Sequence, residues 1–303
     1  MNRKNKELYK EEIFIKGEKY YFVKDYEENE EYRQSFNRLT EKVFGFNLES
    51  WYKKGYWTDK YSPHSLLYKG NIVANVSVNT MEFSLFDKGV KVIQLGTVMT
   101  DPEFRNGGLS RTLMEFVLSD IKERYDLVYL YGNNTVTDFY PKFGFVKSKE
   151  YVHWGVFKKE GINASFYKLD IKNEKDRKIL IRLVKNTIPI SKISMLNNME
   201  LIMFYLDSFM ADNIYYSREM DLAAIIEYGE GELLLVDIFS ANDFNLEELI
   251  PSLLKEEMMK VTLGFTPRND RGFQIEAIEG DDTFFVLNKS LNIAGRFPML
   301  SHT

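Results

Sequence analysis

A mixed α/β fold in two successive domains follows from three features of the sequence. The chain has 303 residues, more than a single domain of ordinary size, and 44% of them are hydrophobic, enough for sizeable cores. In the first half a β-rich run, a polar glycine loop, an amphipathic helix and a second apolar run follow one another, which is the order of a βαβ unit. From Asp170 the chain restarts with helical patterns and then reads strand, strand, helix, strand, strand. The expected division is 1–165 and 166–303, the second being a smaller α/β domain.

Lys19–Asp25 (KYYFVKD) is aromatic and β-branched and reads as a strand, and Glu30–Val43 sets Phe36, Leu39 and Val43 near helical spacing. An aromatic loop follows, with Trp51, Tyr56, Trp57 and Tyr61. Ser65–Tyr68, Ile72–Val78 and Met81–Phe86 are short β-rich runs broken by Lys-Gly-Asn and Asp-Lys-Gly, the pattern of a meander. Val90–Thr100 is the next strand. After DPEFRNGG, the segment Leu109–Tyr125 repeats Leu109, Leu113, Val117, Ile121 and Tyr125 every fourth residue, one face of a helix. Leu127–Tyr131 is a continuous apolar run, as in a strand buried on both faces. Asn133–Gly144 carries a short helix with Tyr140, and Val152–Phe157 is expected to close the sheet.

In the second half Arg177–Asn186 and Met199–Met210 read as helices, and Met195, Met199, Met203 and Met210 are most simply core or interface gap-fillers. Leu222–Tyr228, Glu232–Phe239, Val261–Thr266 and Thr283–Asn288 read as strands, with a helix at Leu246–Leu254. LLLVDIFSANDFNLEELIPSLL laid beneath LGTVMTDPEFRNGGLSRTLMEF aligns strand, polar turn and leucine-bearing helix. That alignment is open to two readings, a divergent repeat or merely any strand followed by a helix.

Composition narrows the chemistry. Forty basic against forty-five acidic residues give a net charge of −5, with no basic excess for a phosphate backbone, so nucleic acid is not an expected partner. No cysteine and only three histidines (His64, His153, His302) argue against thiolate or histidine-rich metal sites and against a cysteine nucleophile. The start MNRKNKELYKEE lacks the apolar core of a signal peptide, and the longest uncharged run, Gly70–Met81, is too short and polar to span a membrane. A soluble cytoplasmic protein is the expectation.

The segment Arg105-Asn106-Gly107-Gly108-Leu109-Ser110 stands where a strand ends and a helix begins. Small residues there leave backbone N–H groups unshielded at the positive end of the helix dipole, so a phosphate fits, with Arg105 adding a charge-assisted hydrogen bond. Two glycines also serve simply to turn a chain. Neither GxGxxG nor GxxxxGK is present.

The stretch Leu95–Phe145, LGTVMTDPEFRNGGLSRTLM followed by YLYGNNTVTDFYPKFGF, resembles the GNAT superfamily of N-acetyltransferases. Val98 and Thr100 before Pro102, then Arg105, Gly108 and Ser110, match its V-x-V-x-P and R/Q-x-x-G-x-G/A signature, with Thr100 in place of valine and Ser110 in place of Gly/Ala; Phe139-Tyr140-Pro141-Lys142-Phe143-Gly144-Phe145 matches F-Y-x-K-x-G-F. The resemblance covers the chain to about Lys159 and implies two splayed central strands that admit the pantetheine arm of acetyl-CoA. By that implication Gln94–Thr100 is the bulged strand: backbone groups of Val98 and Thr100 hold the arm, and an N–H near Val98 or Met99 polarises the thioester carbonyl. Arg105, Asn106, Gly107, Gly108, Leu109 and Ser110 then cradle the pyrophosphate. Tyr140 aligns with the family's general acid, against the plainer reading of a packing tyrosine.

Asn133 and Asn134 either hydrogen-bond the cofactor arm or only end their strand. His64 and Glu82 lie near the expected active-site strands, with a solvated surface role the simpler reading, and neither is assigned as the general base. Trp51, Tyr56, Trp57 and Tyr61 either pack beneath their loop or line a pocket for an apolar or cationic amine. The implied activity is N-acetyl transfer to a primary amine, small molecule or peptide, by direct attack; a non-catalytic acyl-CoA-binding or sensing protein is the alternative. For the second half, a degenerate GNAT-like domain without its own CoA is expected, because Asn245 and Glu248 have capping-box spacing and Glu247 and Glu248 would repel a pyrophosphate. Walling the acceptor cleft or forming a homodimer contact are the roles left for it.

Overall fold

The computed structural model describes residues 7–121, 125–161, 164–291 and 293–302. β1 (Tyr9–Ile15) and β2 (Glu18–Lys24) form a hairpin whose turn residues Lys16 and Gly17 take φ of 52° and 84°, the left-handed pair that suits the twist of a tight hairpin. α1 (Glu30–Phe44) starts at Asn29, whose side chain accepts from Tyr32 N, and ends at Gly45 in the left-handed region. α2 (Glu49–Lys53), β3 (Tyr61–Tyr68), β4 (Asn71–Leu85) and β5 (Lys88–Thr100) follow. Ile72–Val78 and Met81–Phe86, read as separate runs, lie almost wholly in the single strand β4. Its interior Asn79 can stay in the strand because its amide donates across to Gln94 O at 3.4 Å.

α3 (Leu109–Asp120) is shorter than the expected Leu109–Tyr125 helix, part of which lies outside the described residues. Then come β6 (Leu127–Asn133), a 3₁₀ turn at Tyr140–Phe143, β7 (Phe145–Ser148) and β8 (Tyr151–Lys158). The second half contains β9 (Tyr167–Lys168), α4 (Glu174–Asn186), β10 (Ile193–Leu196), α5 (Met199–Ser208), β11 (Ile214–Ser217), β12 (Leu222–Tyr228), β13 (Glu232–Ser240), α6 (Leu246–Leu253), β14 (Met258–Leu263), β15 (Gln274–Ala277) and β16 (Asp282–Leu287).

These strands form two mixed sheets. The first runs β1-β2-β3-β4-β5-β6-β16-β7, with β10 added along β4; the second runs β15-β8-β14-β13-β12-β11-β9. Both follow one plan. β5 is parallel to β6 with α3 between them in sequence, and β13 is parallel to β14 with α6 between them. The unit β13-α6-β14 therefore has the same parallel strand–helix–strand order as β5-α3-β6.

One strand of each half is exchanged. β8, expected to close the first sheet, instead lies between β14 and β15, while β16 takes the corresponding place between β6 and β7. A cut at 165/166 is thus crossed by strands in both directions.

Packing follows the sheets. One contiguous core holds Phe36, Trp57 and Met99 from the first half with Leu183, Met203, Val236 and Phe239 from the second, so both sheets contribute a face to it. α3 covers the other face of the first sheet through Leu109, Leu113 and Val117, and α6 covers the other face of the second through Leu249, Ile250 and Leu253. No helix among the described residues is long and apolar enough to cross a membrane.

Candidate active site

The site starts where two parallel strands part. β5 and β6 pair only from Val92–Leu127 to Leu95–Leu130; beyond that point no strand pairs the β6-facing edge of β5 among the described residues. On the opposite edge the β4–β5 ladder shifts register between Asn75 and Ser77, and Thr97 takes φ of 45°, an uncommon conformation for a β-branched residue. A buried polar network holds that bulge. Asn75 Nδ2 donates to Thr97 O and to Ser77 Oγ, both at 2.9 Å, while Asn75 Oδ1 accepts from Ser65 Oγ at 2.8 Å. Tyr61 OH lies 2.9 Å from Thr97 Oγ1 and accepts from Ser77 Oγ at 2.9 Å; burial pushes this phenol up to about 12, so it stays neutral.

Beyond the bulge, Val98 packs toward the α3 core, Met99 is buried in the core shared by the two sheets, and Thr100 Oγ1 meets Ser110 Oγ at 2.5 Å. That contact ties the start of α3 to the end of β5. Between them Asn106 and Gly108 take φ of 63° and 90°, and Gly108 begins α3 with no side chain capping the exposed N–H groups. A Cβ on Gly107 would stand 2.9 Å from Leu109 Cδ1 and 3.1 Å from Phe104 O, so the turn needs glycine there. Arg105 is exposed beside it. The counterpart helix α6 differs: Asn245 Oδ1 accepts from Glu247 N at 3.0 Å and its amide donates to Glu248 Oε1 at 3.0 Å, so its first turn is capped and acidic.

Lys16, absent from the sequence-based set, reaches the same loop. From the tip of the β1–β2 hairpin its Nζ donates to Asn106 O at 3.0 Å, which adds a cation to the uncapped helix end. The only sequence signal was a Lys-Gly turn, and a turn does not reveal how far its hairpin leans.

Tyr140 lies at the other wall of the opening. Its ring is buried against Phe139, Phe145 and Phe285, and it fills the space left by Gly132 near the end of β6. Burial alone pushes its hydroxyl up to about 12. That hydroxyl makes no hydrogen bond with another described residue. Asn133 Oδ1 caps the following turn by accepting from Thr135 N at 3.0 Å, and Asn134 donates to Asp281 Oδ1 at 3.2 Å; local structure employs both.

The remaining candidates disperse. His64 is buried rather than solvated: Nδ1 meets Ser62 O at 3.0 Å and Nε2 lies 3.6 Å from Asp120 Oδ2, at the end of α3 far from Gly108. Glu82 accepts from Asn197 Nδ2 at 3.3 Å on the far half of β4. Trp51, Tyr56, Trp57 and Tyr61 are all buried, and Trp51, Trp57 and Tyr61 contact one another edge-on or tilted, so they act as core beneath the bulge. Met203 and Met210 are core, whereas Met195 and Met199 line a cleft described below.

The carboxyl-terminal segment was also unforeseen. His302 stacks on Tyr131, ring centroids 3.9 Å apart, one residue beyond the last β5–β6 pair. Tyr205 OH donates to His302 O at 2.6 Å, and Tyr131 OH donates to the half-buried Glu150 Oε1 at 3.0 Å. Burial and Arg296 pull the His302 imidazole down to about 3, so it is neutral.

A splayed parallel pair, a bulged strand and an uncapped glycine-rich helix start coincide with a sequence match. Residues 26–147 match the family described as the acetyltransferase (GNAT) domain. This segment is a GNAT domain. The chain thereby carries the N-acyltransferase module of that family. Its overall fold is similar to a probable N-acyltransferase from Enterococcus faecalis (12% identity, 85% of this chain and 70% of that one, TM-score 0.58). It is also similar to a GCN5-related N-acetyltransferase from Anabaena variabilis (13%, 84% and 69%, TM-score 0.52) and to Eis1 from Mycobacterium abscessus (13%, 83% and 69%, TM-score 0.51). At these identities the likeness is one of fold. No curated protein sequence matches the chain.

Proposed function

We propose that the chain is an acetyl-CoA-dependent N-acetyltransferase whose acceptor is a primary amine. The observation that carries this reading is the uncapped start of α3 beside the unpaired edge of β5. Free N–H groups at Gly108–Ser110, with Arg105 and Lys16 alongside, suit a pyrophosphate, and nothing in the loop competes for those donors. The open edge of Gly96–Thr100 offers backbone groups to an extended pantetheine arm, as an added strand would use them. Acetyl-CoA supplies the activated acyl group.

The transfer breaks one C–S bond and forms one C–N bond; the amine nitrogen loses a proton and the sulfur gains one. N–H groups at Val98 or Met99 stabilise charge on the carbonyl oxygen. Tyr140 serves the departing sulfur. With its hydroxyl near 12 and an ordinary thiol near 8.5, full proton transfer from Tyr140 is uphill, so its contribution is a hydrogen bond to the developing thiolate while solvent restores the proton. Among the described residues Tyr140 has no other polar partner to give up first.

The test is acetyl-CoA-dependent thiol release over a broad panel of primary amines and peptides, with Tyr140→Phe as control. Turnover that depends on an amine and collapses in the variant supports the reading. Tight acetyl-CoA binding with no turnover for any amine would favour an acyl-CoA sensor instead.

A further inference from the structure

The second half keeps the parallel strand pair of the first but puts different chemistry beside it. β13 and β14 pair in parallel up to Leu235–Leu263, as β5 and β6 do up to Leu95–Leu130, and β13 then bulges where the β12 register shifts between Ile225 and Ile226. Counted from the last parallel pair, Asp237 takes the place of Thr97. Val236 and Phe239 belong to the core shared by the two sheets, whereas Ile238 packs on the α6 side. The bulge therefore sets Asp237 on the same side as Val236 and Phe239.

That side opens into a cleft of about 400 Å³. Its apolar wall includes Val184, Ile188, Met195, Met199, Ile202 and Phe239. Asp237 differs from Thr97 in having no clamp. Ile238 N donates to its Oδ1 at 2.8 Å, and its Oδ2 makes no hydrogen bond or ion pair with a described residue. The other charged residues lining the cleft do not neutralise it. Lys60 Nζ is held by Glu200 Oε2 at 2.9 Å, and Lys185, on the last turn of α4, is exposed to solvent. No further titratable side chain lines the cleft among the described residues.

We infer that this cleft is a ligand site in its own right, taking an organic ammonium ion whose charge pairs with Asp237 and whose apolar body lies against Met195, Met199, Ile202 and Phe239. An unpaired carboxylate in an apolar wall is costly unless a cation comes to it, and an alkyl or aryl amine supplies both the charge and the apolar surface. An anion is disfavoured by the same carboxylate. Burial pushes the Asp237 carboxyl up to about 7, so near neutral pH it is partly protonated, and only the ionised form attracts the ammonium. Binding therefore strengthens as pH rises through 7. The site is independent of the acetyl-CoA reading, since no residue of the Arg105–Ser110 loop lines it.

The experiment is calorimetric titration of the full chain, without acetyl-CoA, with n-butylamine, 2-phenylethylamine and tryptamine, and with 2-phenylethanol as the neutral analogue. At least one amine is expected to bind saturably, about tenfold more tightly at pH 8 than at pH 6, because the ionised fraction of a group near 7 rises by about that factor. The alcohol should not bind. Asp237→Asn keeps an oxygen to accept from Ile238 N, so its fold should be intact while affinity drops about tenfold or more and the pH dependence disappears. Equal amine affinity in wild type and Asp237→Asn, or no amine binding below about 1 mM, would overturn the assignment.

Discussion

The ring of Tyr140 occupies the space that a side chain on Gly132 would need: a Cβ built there stands 2.6 Å from Cε2 and 3.1 Å from Cδ2. Gly132 thus seats the tyrosine, and Phe285 from the exchanged strand β16 packs against the same ring at 5.4 Å. Gly132→Ala must push the ring aside, since Val136 Cγ2 at 3.3 Å closes the other route. Overpacking of this kind costs about 1–3 kcal/mol. Lower thermal stability and a turnover loss of about tenfold or more are expected, with acetyl-CoA affinity held. A variant with wild-type turnover would show that the position of Tyr140 does not matter.

Tyr140→Phe isolates the hydroxyl. Turnover should fall roughly 10²–10³-fold with little change in cofactor affinity, because the lost hydrogen bond acts as the sulfur departs. Since burial holds this phenol near 12, no activity loss attributable to its ionisation should occur below about pH 11 in the wild type. A rate–pH profile with the same alkaline limb in wild type and variant would assign that limb elsewhere.

Gly108→Val addresses the loop. Gly108 has φ of 90°, where a β-branched residue is strained, and its position is otherwise open apart from Lys16 Cε at 4.0 Å. The substitution shields the α3 N–H groups and shifts the turn. Acetyl-CoA affinity should drop about tenfold or more, about 1.4 kcal/mol, read by calorimetry. Lys16→Ala should produce a smaller loss that shrinks at high salt, as expected of an exposed cation.

Which parts the sequence revealed has a physical reason. Periodicity over Leu109–Val117 and the apolar run Leu127–Tyr131 specify which faces are buried, so the helix and strand around the loop were readable, as was the uncapped start at Gly108. Partnership is another matter. The β8 sequence YVHWGVFK suits any sheet with an open edge, and its exchange with β16 depends on contacts more than a hundred residues away, such as Met259 opposite Phe157. The aromatic loop posed the same difficulty. Trp57 and Tyr61 have the composition of a binding pocket, yet the hydroxyls of the buried Ser77 and the half-buried Thr97 draw Tyr61 beneath the bulge, and hydrogen-bond partners at that separation leave no pattern in the sequence.

Asn75 is predicted to be the keystone of the bulge. Asn75→Ala removes the donors to Thr97 O and Ser77 Oγ and the acceptor for Ser65 Oγ, leaving buried polar groups without partners. A loss of about 1–3 kcal/mol in chemical unfolding is expected. Acetyl-CoA affinity should fall with it, because the open edge of β5 relaxes once Thr97 is no longer held. Weakened stability with unchanged affinity would mean that the strand keeps its bulge without the clamp.

Asp237 makes a prediction about stability that needs no ligand. Its folded pKa, raised to about 7 by burial, exceeds the unfolded value near 3.9, so the folded state holds an extra proton between those two pH values. Stability from this group is complete below about pH 4 and is lost as pH rises toward 7. A gap of about 3 pH units at about 1.4 kcal/mol each sets a ceiling of about 4 kcal/mol, and water in the half-buried cleft lowers it. Carboxyls held low by cations, such as Asp221 beside Arg182 and Asp120 beside His64 and Lys24, act in the opposite sense as pH falls. The readout is therefore the difference between Asp237→Asn and wild type, in which those groups cancel. Asparagine does not ionise, so that difference should be near zero at about pH 4 and favour the variant by a few kcal/mol at about pH 8. A difference that stays constant with pH would show that Asp237 ionises in the folded chain as it does in water.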